Sequence, residues 1–382
     1  MEFSHIFNSR GAKIVAFFAL LFTFSTSIAQ NDIASTSSAE AESFEELEKE
    51  TDLDINTFIL HHIADAHEFH FFGEGADWKG IYLPIILFTD HGLVAFSSKE
   101  FQLDNDGAVV VEKKGQQFVR YHNKIYYASA EAEHGSFLSM TTNEKGEHVV
   151  SNAKPWDFSI TKISFTILFS VAVLCLIFIS VANAYKKRQG KAPKGLQSFI
   201  EPIIIFVRDD IAKPNLGYKY ERYMPYLLTV FFFIWFNNMF GLVPFFPGGA
   251  NVTGNIAVTM VLAMITLLIT LFSGNKAYWG HIFRPNVPWW LYPLMIPVEI
   301  IGVFTKPIAL MIRLFANITA GHILVLALIS LIFVFESVAV APASVLFVLF
   351  ISLIELLVAF IQAFIFTILS ALFIGMAIEE HH

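Results

Sequence analysis

The chain of 382 residues holds one cysteine, Cys175, inside an apolar run, so no disulfide can form within it. Charge is scarce too: Asp, Glu, Lys and Arg make up 15% of the residues. The net charge of -8 arises largely from one stretch, AEAESFEELEKETDLD, and so says nothing about nucleic acid. There is no internal repeat and no pair of Gly/Pro-broken helices, the marks of many secondary transporters. What fills the chain is apolar: 55% hydrophobic and 15% aromatic residues, with a mean hydropathy of +0.58. This composition indicates a polytopic membrane protein, with polar sequence concentrated near the start.

Within the apolar part, the stretch EIIGVFTKPIALMIRLFANITAGHILVLALISL, Glu299 to Leu331, places Arg313 between IALMI and LFANI. A guanidinium does not discharge in a protein, and at a bilayer centre it costs at least about 2.5 to 3.5 kcal/mol. Such a residue needs a partner. At about 100° per residue, Glu299, Lys306 and Arg313 fall on nearly one stripe of a helix, with Asn317 one turn beyond, while His322 points to the opposite side. The last apolar run, Pro342 to Ile378, carries Glu355 and Gln362 on one face. Intramembrane Glu, His, Gln, Asn and Arg on neighbouring helices read as an ion or proton pathway. The competing reading is a static buried ion-pair network that fixes helix packing.

KPIALMIRLFANITAGHIL, followed by ELLVAFIQAFIFTILSALFIGMAIEEHH, resembles subunit a of the F-type ATP synthase. The resemblance runs from about Ile160 to the C-terminus and rests on R-L-F-x-N-x-x-A-G with a downstream Q-A-F-I-F. It implies a stator channel beside a rotating ring of c subunits, with peripheral-stalk b subunits as further partners, membrane lipid around it and no cofactor. It also implies that Arg313 is the essential charge facing the ring, and that Asn317, Gln362 and Glu299 stand at polar sites of the family. Many bacterial members place Glu after the A-G pair and His seven residues before the glutamine. This chain has His322 and Glu355 there, a swap resembling the mitochondrial arrangement.

In chain order, residues 1–29 have a basic start with Arg10 and Lys13, an apolar core VAFFALLFTF and a small-x-small Ser27-Ile28-Ala29, the pattern of a secretory signal peptide. An uncleaved anchor helix is the alternative. Residues 30–54 are rich in Ser, Ala and Glu and read as an acidic linker. In 55–155, IYLPIILFT, GLVAFSS, GAVVVEKK, FVRYHNKIYYAS and SFLSMTT are separated by DHG, DNDG and NEKG turn signals, which predicts a small mostly-β external unit. Family relatives usually have only a short segment there. His61, His62, His67 and His70 cluster in HHIADAHEFHFF, but no spacing matches a recognised metal motif, so a solvated or packing role is favoured and no metal is assigned.

The membrane domain, 156–382, opens with a span at about Ser159 to Ala184 that ends in the basic YKKRQGKAPKG, placing that end in the cytoplasm by the positive-inside rule. LQSFIEPIIIFVRDDIA mixes charge with apolar residues and reads as a helix on the cytoplasmic surface. Further spans follow at about Pro225 to Pro244, with Asn237 and Asn238 near its outer end, and at about Val252 to Phe272, joined by the uncharged PFFPGGANVTGN as an external loop. From about Pro297 to Phe335 the run approaches forty residues, roughly 55 to 60 Å as a helix against a hydrocarbon core of about 30 Å. The expectation is a steeply inclined hairpin, kinked at Pro307 and turning near Glu336 to Pro342, with a cytoplasmic C-terminus. The expected fold is therefore a polytopic α-helical membrane protein of about five membrane helices with a small mostly-β external domain at its N-terminus. Functionally it is read as the proton channel subunit, with His322, Glu355, Asn317 and Gln362 lining an external half-channel and Glu299 an internal one. The rivals are a stand-alone ion-coupled transporter or channel and a non-transporting scaffold for the β unit.

Overall fold

The computed structural model describes residues 65–72, 78–129, 136–142, 148–188, 190–243, 248–285, 287–335 and 341–379. The expected signal peptide, the acidic linker, His61, His62 and most of the hairpin turn near 336–342 lie outside the described residues.

Among the described residues ten short strands precede the long helices. They form four antiparallel sheets: β1 (Glu68–Phe72) with β2 (Lys79–Tyr82); β10 (Trp156–Asp157), β3 (Pro84–Thr89) and β4 (Gly92–Ser97); β5 (Val111–Lys113), β6 (Gln116–Tyr121) and β7 (Lys124–Tyr127); and β8 (Met140–Thr142) with β9 (His148–Val150). Turn chemistry sets the registers. His122 and Asn123, both at positive φ, close β6–β7, and Lys114 with Gly115 close β5–β6 in the same way; two central residues with positive φ twist as the flanking strands do. The alternating inward residues Ile85, Leu87, Val94 and Phe96 meet Phe101, Val111, Phe118 and Ile125 in one core. Beside it the buried Arg120 donates from Nη1 to Glu68 Oε2 at 2.7 Å and from Nε to the Asp104 carbonyl at 2.7 Å, tying β6 to β1.

This unit is bonded to α1 (Lys162–Lys187), the first long helix among the described residues. Thr161 caps α1 by accepting from Ser164 N, Lys162 N donates to the Ala66 carbonyl at 2.8 Å, and Ile163 N donates to Asp65 Oδ1 at 3.0 Å. Residues 65–66 thus satisfy helix-terminal N–H groups that have no partner within the helix.

α2 (Leu196–Phe206) continues through a π-helical turn, Val207–Ala212, and one α turn, Lys213–Leu216, to a break at Gly217, where φ is +55°. The segment read as a surface helix is buried along one side: Ile200, Ile204, Val207 and Ile211 join the helical core, while Asp209 pairs with Arg208 and Lys213. Next come α3 (Tyr220–Leu242), α4 (Ile256–Ser273), the short α5 (Lys276–Phe283), α6 (Tyr292–Val334) and α7 (Ala341–Ile378). Among the described residues five helical stretches are long and apolar enough to cross a membrane, so the protein is a polytopic helical membrane protein with a β region at its N-terminal side. α6 has 43 residues and runs as one helix through Pro297 and Pro307. At about 1.5 Å per residue it is roughly 65 Å long and α7 roughly 57 Å, so neither stands upright in a core of about 30 Å.

Hydrogen bonds mark one end of the bundle. The last carbonyls of α7 accept from Asn275 N (Ala377), Asn275 Nδ2 (Ile378) and Lys219 Nζ (Ile378), and a Cβ on Gly375 would overlap the Asn215 carbonyl.

Candidate functional site

On α6, Leu310 and Leu314, one turn apart, are buried in the helical core. Arg313 and Asn317 fall outside that stripe and are exposed. Beside the guanidinium lies a groove of about 390 Å³ between α6 and α7, lined by Thr305, Lys306, Ala309, Arg313, Leu369 and Phe373. Among the described residues Arg313 forms no ion pair. Its surroundings are apolar, with Ile308 and Ile312 also exposed. Glu299, about four turns away on the same stripe, is half-buried, and Lys306 between them sits 5.7 Å from the centre of the Phe373 ring. Burial, together with the Glu299 charge, pushes the Tyr278 phenol up, which sets Glu299 near α5. α5 follows Asn275, so Glu299 belongs to the end of the bundle where α7 terminates.

A second polar group forms where α3, α6, α7 and the loop after α3 meet. The Glu355 carboxylate lies against Gly321, where a Cβ would overlap it, and His322 follows in sequence. The His322 ring faces Gly241 of α3, whose Cβ would stand 3.5 Å from Nε2. Asn238 of α3 donates to the Ala359 carbonyl at 3.5 Å and accepts from Thr253 Oγ1 at 2.5 Å. Glu355, Ala359 and Gln362 are spaced i, i+4 and i+7, so they share one face of α7, and Gln362 is buried. Thr319 donates to the Gly254 carbonyl at 3.4 Å, joining α6 to the same loop. Asn237 Oδ1 and Asn251 Nδ2 are buried with no hydrogen-bond partner among the described residues.

Of the residues singled out in the sequence, His322, Glu355 and Gln362 are thus drawn to one seam, while Arg313 and Asn317 face outward and Glu299 lies at the far end. Asn238, Thr253, Asn251 and Thr319 were not assigned a role from the sequence. The doubled Asn237-Asn238 in an apolar span was the available signal; an uncharged loop gave no reason to expect its Thr253 inside. Sequence reading also missed a polar cross-link through three helices, in which Tyr226 Oη lies 2.6 Å from Thr266 Oγ1 and the latter 3.4 Å from Ser370 Oγ.

Among the described residues no group of three or more His, Cys, Asp or Glu side chains could hold a metal ion. His67 is fully buried, with Nε2 3.9 Å from Asp157 Oδ2, and His70 stacks on Trp78.

Fold and site define a multi-pass helical membrane protein that keeps ionisable groups within apolar helices, one of them a permanent cation on an exposed helix face. The family described as ATP synthase A chain matches residues 164–375, and a second, described as "Domain of unknown function (DUF8433)", matches residues 58–158. "ATP synthase subunit a" of Chloroherpeton thalassium is 50% identical over 233 residues, 59% of this chain and 69% of that protein. "ATP synthase subunit a 2" of Prosthecochloris aestuarii is 48% identical over 229 residues, covering 58% and 69%, and "ATP synthase subunit a" of Myxococcus xanthus is 46% identical over 234 residues, covering 59% and 75%. The chain belongs to the ATP synthase A chain family, as the R-L-F-x-N-x-x-A-G stretch led us to expect.

Proposed function

We propose that this chain is the proton-conducting stator subunit of an F-type ATP synthase in a bacterial inner membrane, working against the c-ring and held by the b subunits of the peripheral stalk. The observation that carries the reading is Arg313: an exposed guanidinium on an apolar helix, with no ion pair among the described residues. In a low-dielectric setting such a charge demands a counter-charge, and the described residues of its own chain offer none in contact. A ring of helices each bearing one carboxylate supplies it. Such a carboxylate crosses lipid only when neutral, because an isolated ionised acid in hydrocarbon costs several kcal/mol or more. Opposite Arg313 it can ionise.

Protons would then enter from one compartment through one half-channel, travel round the ring, and leave to the other compartment. Arg313 is both counter-charge and barrier between the two paths. The seam around His322, Glu355, Asn238 and Gln362 supports an external half-channel: it is polar, and the neighbouring Asn237 Oδ1 and Asn251 Nδ2 are buried without a partner among the described residues, the setting in which ordered water is retained. Asn317 flanks the arginine. Glu299, at the end where α7 terminates, supports an internal exit. No cofactor or ATP site is needed for this work, since catalysis of ATP synthesis would belong to other subunits.

The orientation we propose puts the β unit, residues 55–155 together with the β10 strand Trp156–Asp157, in the periplasm after a cleaved segment 1–29 and linker 30–54, with the membrane domain that follows ending in the cytoplasm. It follows from the basic cluster at Lys186, Lys187, Arg188, Lys191 and Lys194. Reporter fusions at Lys194 and Asp106 should read cytoplasmic and external respectively; an Asp106 fusion in the cytoplasm would overturn it. Affinity purification in mild detergent tests the main reading: ring and stalk subunits should accompany the tagged chain. Recovery of the chain alone from intact membranes would favour a stand-alone transporter or scaffold.

A further inference from the structure

The small sheet β1–β2 has two unlike faces. One carries Glu68, which is bound to Arg120 and so turns toward the β unit, together with His70, Tyr82 and the stacked ring of Trp78. The other carries Phe69, paired across the strands with Ile81, and Lys79 beside Ile81; the register slips between His70 and Phe72, a β-bulge that leaves Phe71 as the extra residue next to the Phe72–Lys79 pair. On this second face Phe69 is buried against Phe165, ring centres 5.5 Å apart in an edge-on contact, while Phe71 is 44% and Ile81 39% exposed and Lys79 is exposed as well.

Phe165 lies in the first turn of α1, and this fixes the height of the sheet. α1 has 26 residues, about 39 Å, against a hydrocarbon core of about 30 Å, so about three residues project at each end if the span is centred. Residues 162–165 then lie at the boundary between headgroups and acyl chains. The sheet cannot ride higher, because Lys162 N and Ile163 N are bonded to the Ala66 carbonyl and Asp65 Oδ1, immediately before β1. Two exposed apolar side chains beside a flexible ammonium, held at that level, match the interface, where apolar groups dip inward and a lysine reaches the phosphates.

We propose that the face of β1–β2 formed by Phe71, Ile81 and Lys79 is a lipid-binding surface that seats the β unit on the external leaflet of the phospholipid bilayer beside α1. This rests on α1 being a membrane span, and for the leaflet on the orientation proposed above, but not on the proton pathway. With residues 65–66 bonded to α1, the contact holds the unit against the membrane rather than leaving it free above the bundle.

The test uses the full chain with Cys175→Ser, carrying in turn Phe71→Cys, Ile81→Cys or, as an exposed control on another sheet, Leu93→Cys, each labelled with an environment-sensitive fluorophore. The proteins are reconstituted in phosphatidylethanolamine/phosphatidylglycerol vesicles containing nitroxide lipids with the nitroxide either near the headgroup or deep in the chain. Labels at 71 and 81 should be quenched severalfold more by the shallow nitroxide than by the deep one and be shielded from aqueous iodide, while the label at 93 should show the reverse preference for iodide. Free quenching by iodide at 71 and 81 would overturn the proposal, and so would shielding from both iodide and lipid, which would mean that protein covers the face. Loss of proton pumping in an otherwise lipid-quenched protein would bear on the proposed function and leave this surface standing.

Discussion

Gly321 is where the geometry makes its sharpest demand. A Cβ there would overlap the Glu355 carboxylate and stand only 3.1 Å from its Cδ and 3.3 Å from its Cγ, so the acid must shift by an amount on the order of 1 Å to admit Gly321→Ala. Alanine favours the helix by about 1 kcal/mol, whereas overpacking costs about 1 to 3 kcal/mol, so the two nearly offset and the helix should still insert. Proton transfer is less forgiving, because a misplacement of about 1 Å can cost on the order of a hundredfold in rate. We expect ATP-driven acidification of inverted vesicles, normalised to assembled complex, to fall about 10- to 100-fold in Gly321→Ala. Gly241→Ala is the matched control: its Cβ would meet His322 Nε2 and the Ala250 carbonyl at 3.5 Å each, ordinary contact, so its loss should be about twofold at most. Shortening the acid should relieve the overlap, so Gly321→Ala with Glu355→Asp should retain more flux than the product of the single losses. Wild-type pumping in Gly321→Ala, or equal damage from Gly241→Ala, would refute the reasoning.

Exchanging His322→Glu with Glu355→His should restore more pumping than either single exchange, because both roles are again filled; simple additivity in a double-mutant cycle would place them in separate functions. In the β unit, Glu68→Ala strands the buried Arg120 guanidinium and should destabilise that unit by about 3 to 5 kcal/mol in denaturant melts, while Arg120→Met, which leaves no buried orphan cation, should cost less. Burial pushes the Asp65 carboxyl above its ordinary value of 3.8, outweighing the lowering by its bond from Ile163 N, by Thr161 and by the charges of His67 and Lys162. Its stabilising contribution is therefore complete below the unfolded value and lost as pH rises through the raised one. Thermal melts between about pH 4 and pH 8 should show that loss in the native chain and a flatter profile in Asp65→Asn, which keeps an acceptor for Ile163 N.

The spans were legible because uninterrupted apolar runs have few other uses, and the strands because turn residues punctuate alternating ones. FVRYHNKIYYAS, for example, splits at His122-Asn123 into β6 and β7. Arg313, His322, Glu355 and Gln362 stood out because an ionisable or amide group amid Leu, Ile and Phe is costly. What sequence could not give was contact between distant segments. Arg120 meets Glu68 across 52 positions, and Asn238 meets Ala359 across 121. The same holds for Gly321, whose value lies in the atom it lacks opposite Glu355. For LQSFIEPIIIFVRDDIA the sequence showed charge mixed with apolar residues but not what the apolar side meets, which is the helical core through Ile200, Ile204, Val207 and Ile211. Pro307, where a kink was expected, does not end α6, which runs as one helix from Tyr292 to Val334; a proline can bend such a helix without breaking it.

The central claim is that Arg313 supplies the counter-charge for a carboxylate on another subunit, and one measurement bears on it most directly. Arg313→Ala is introduced into the full complex, assembly is checked by copurification of ring and stalk subunits, and ATP-driven proton pumping is recorded in inverted vesicles, with Arg313→Lys alongside. The account predicts an assembled complex whose pumping falls to background in the alanine variant, with poor rescue by lysine, whose ammonium can deprotonate when desolvated and lacks the planar fork. Near-normal pumping in an assembled Arg313→Ala complex would contradict it.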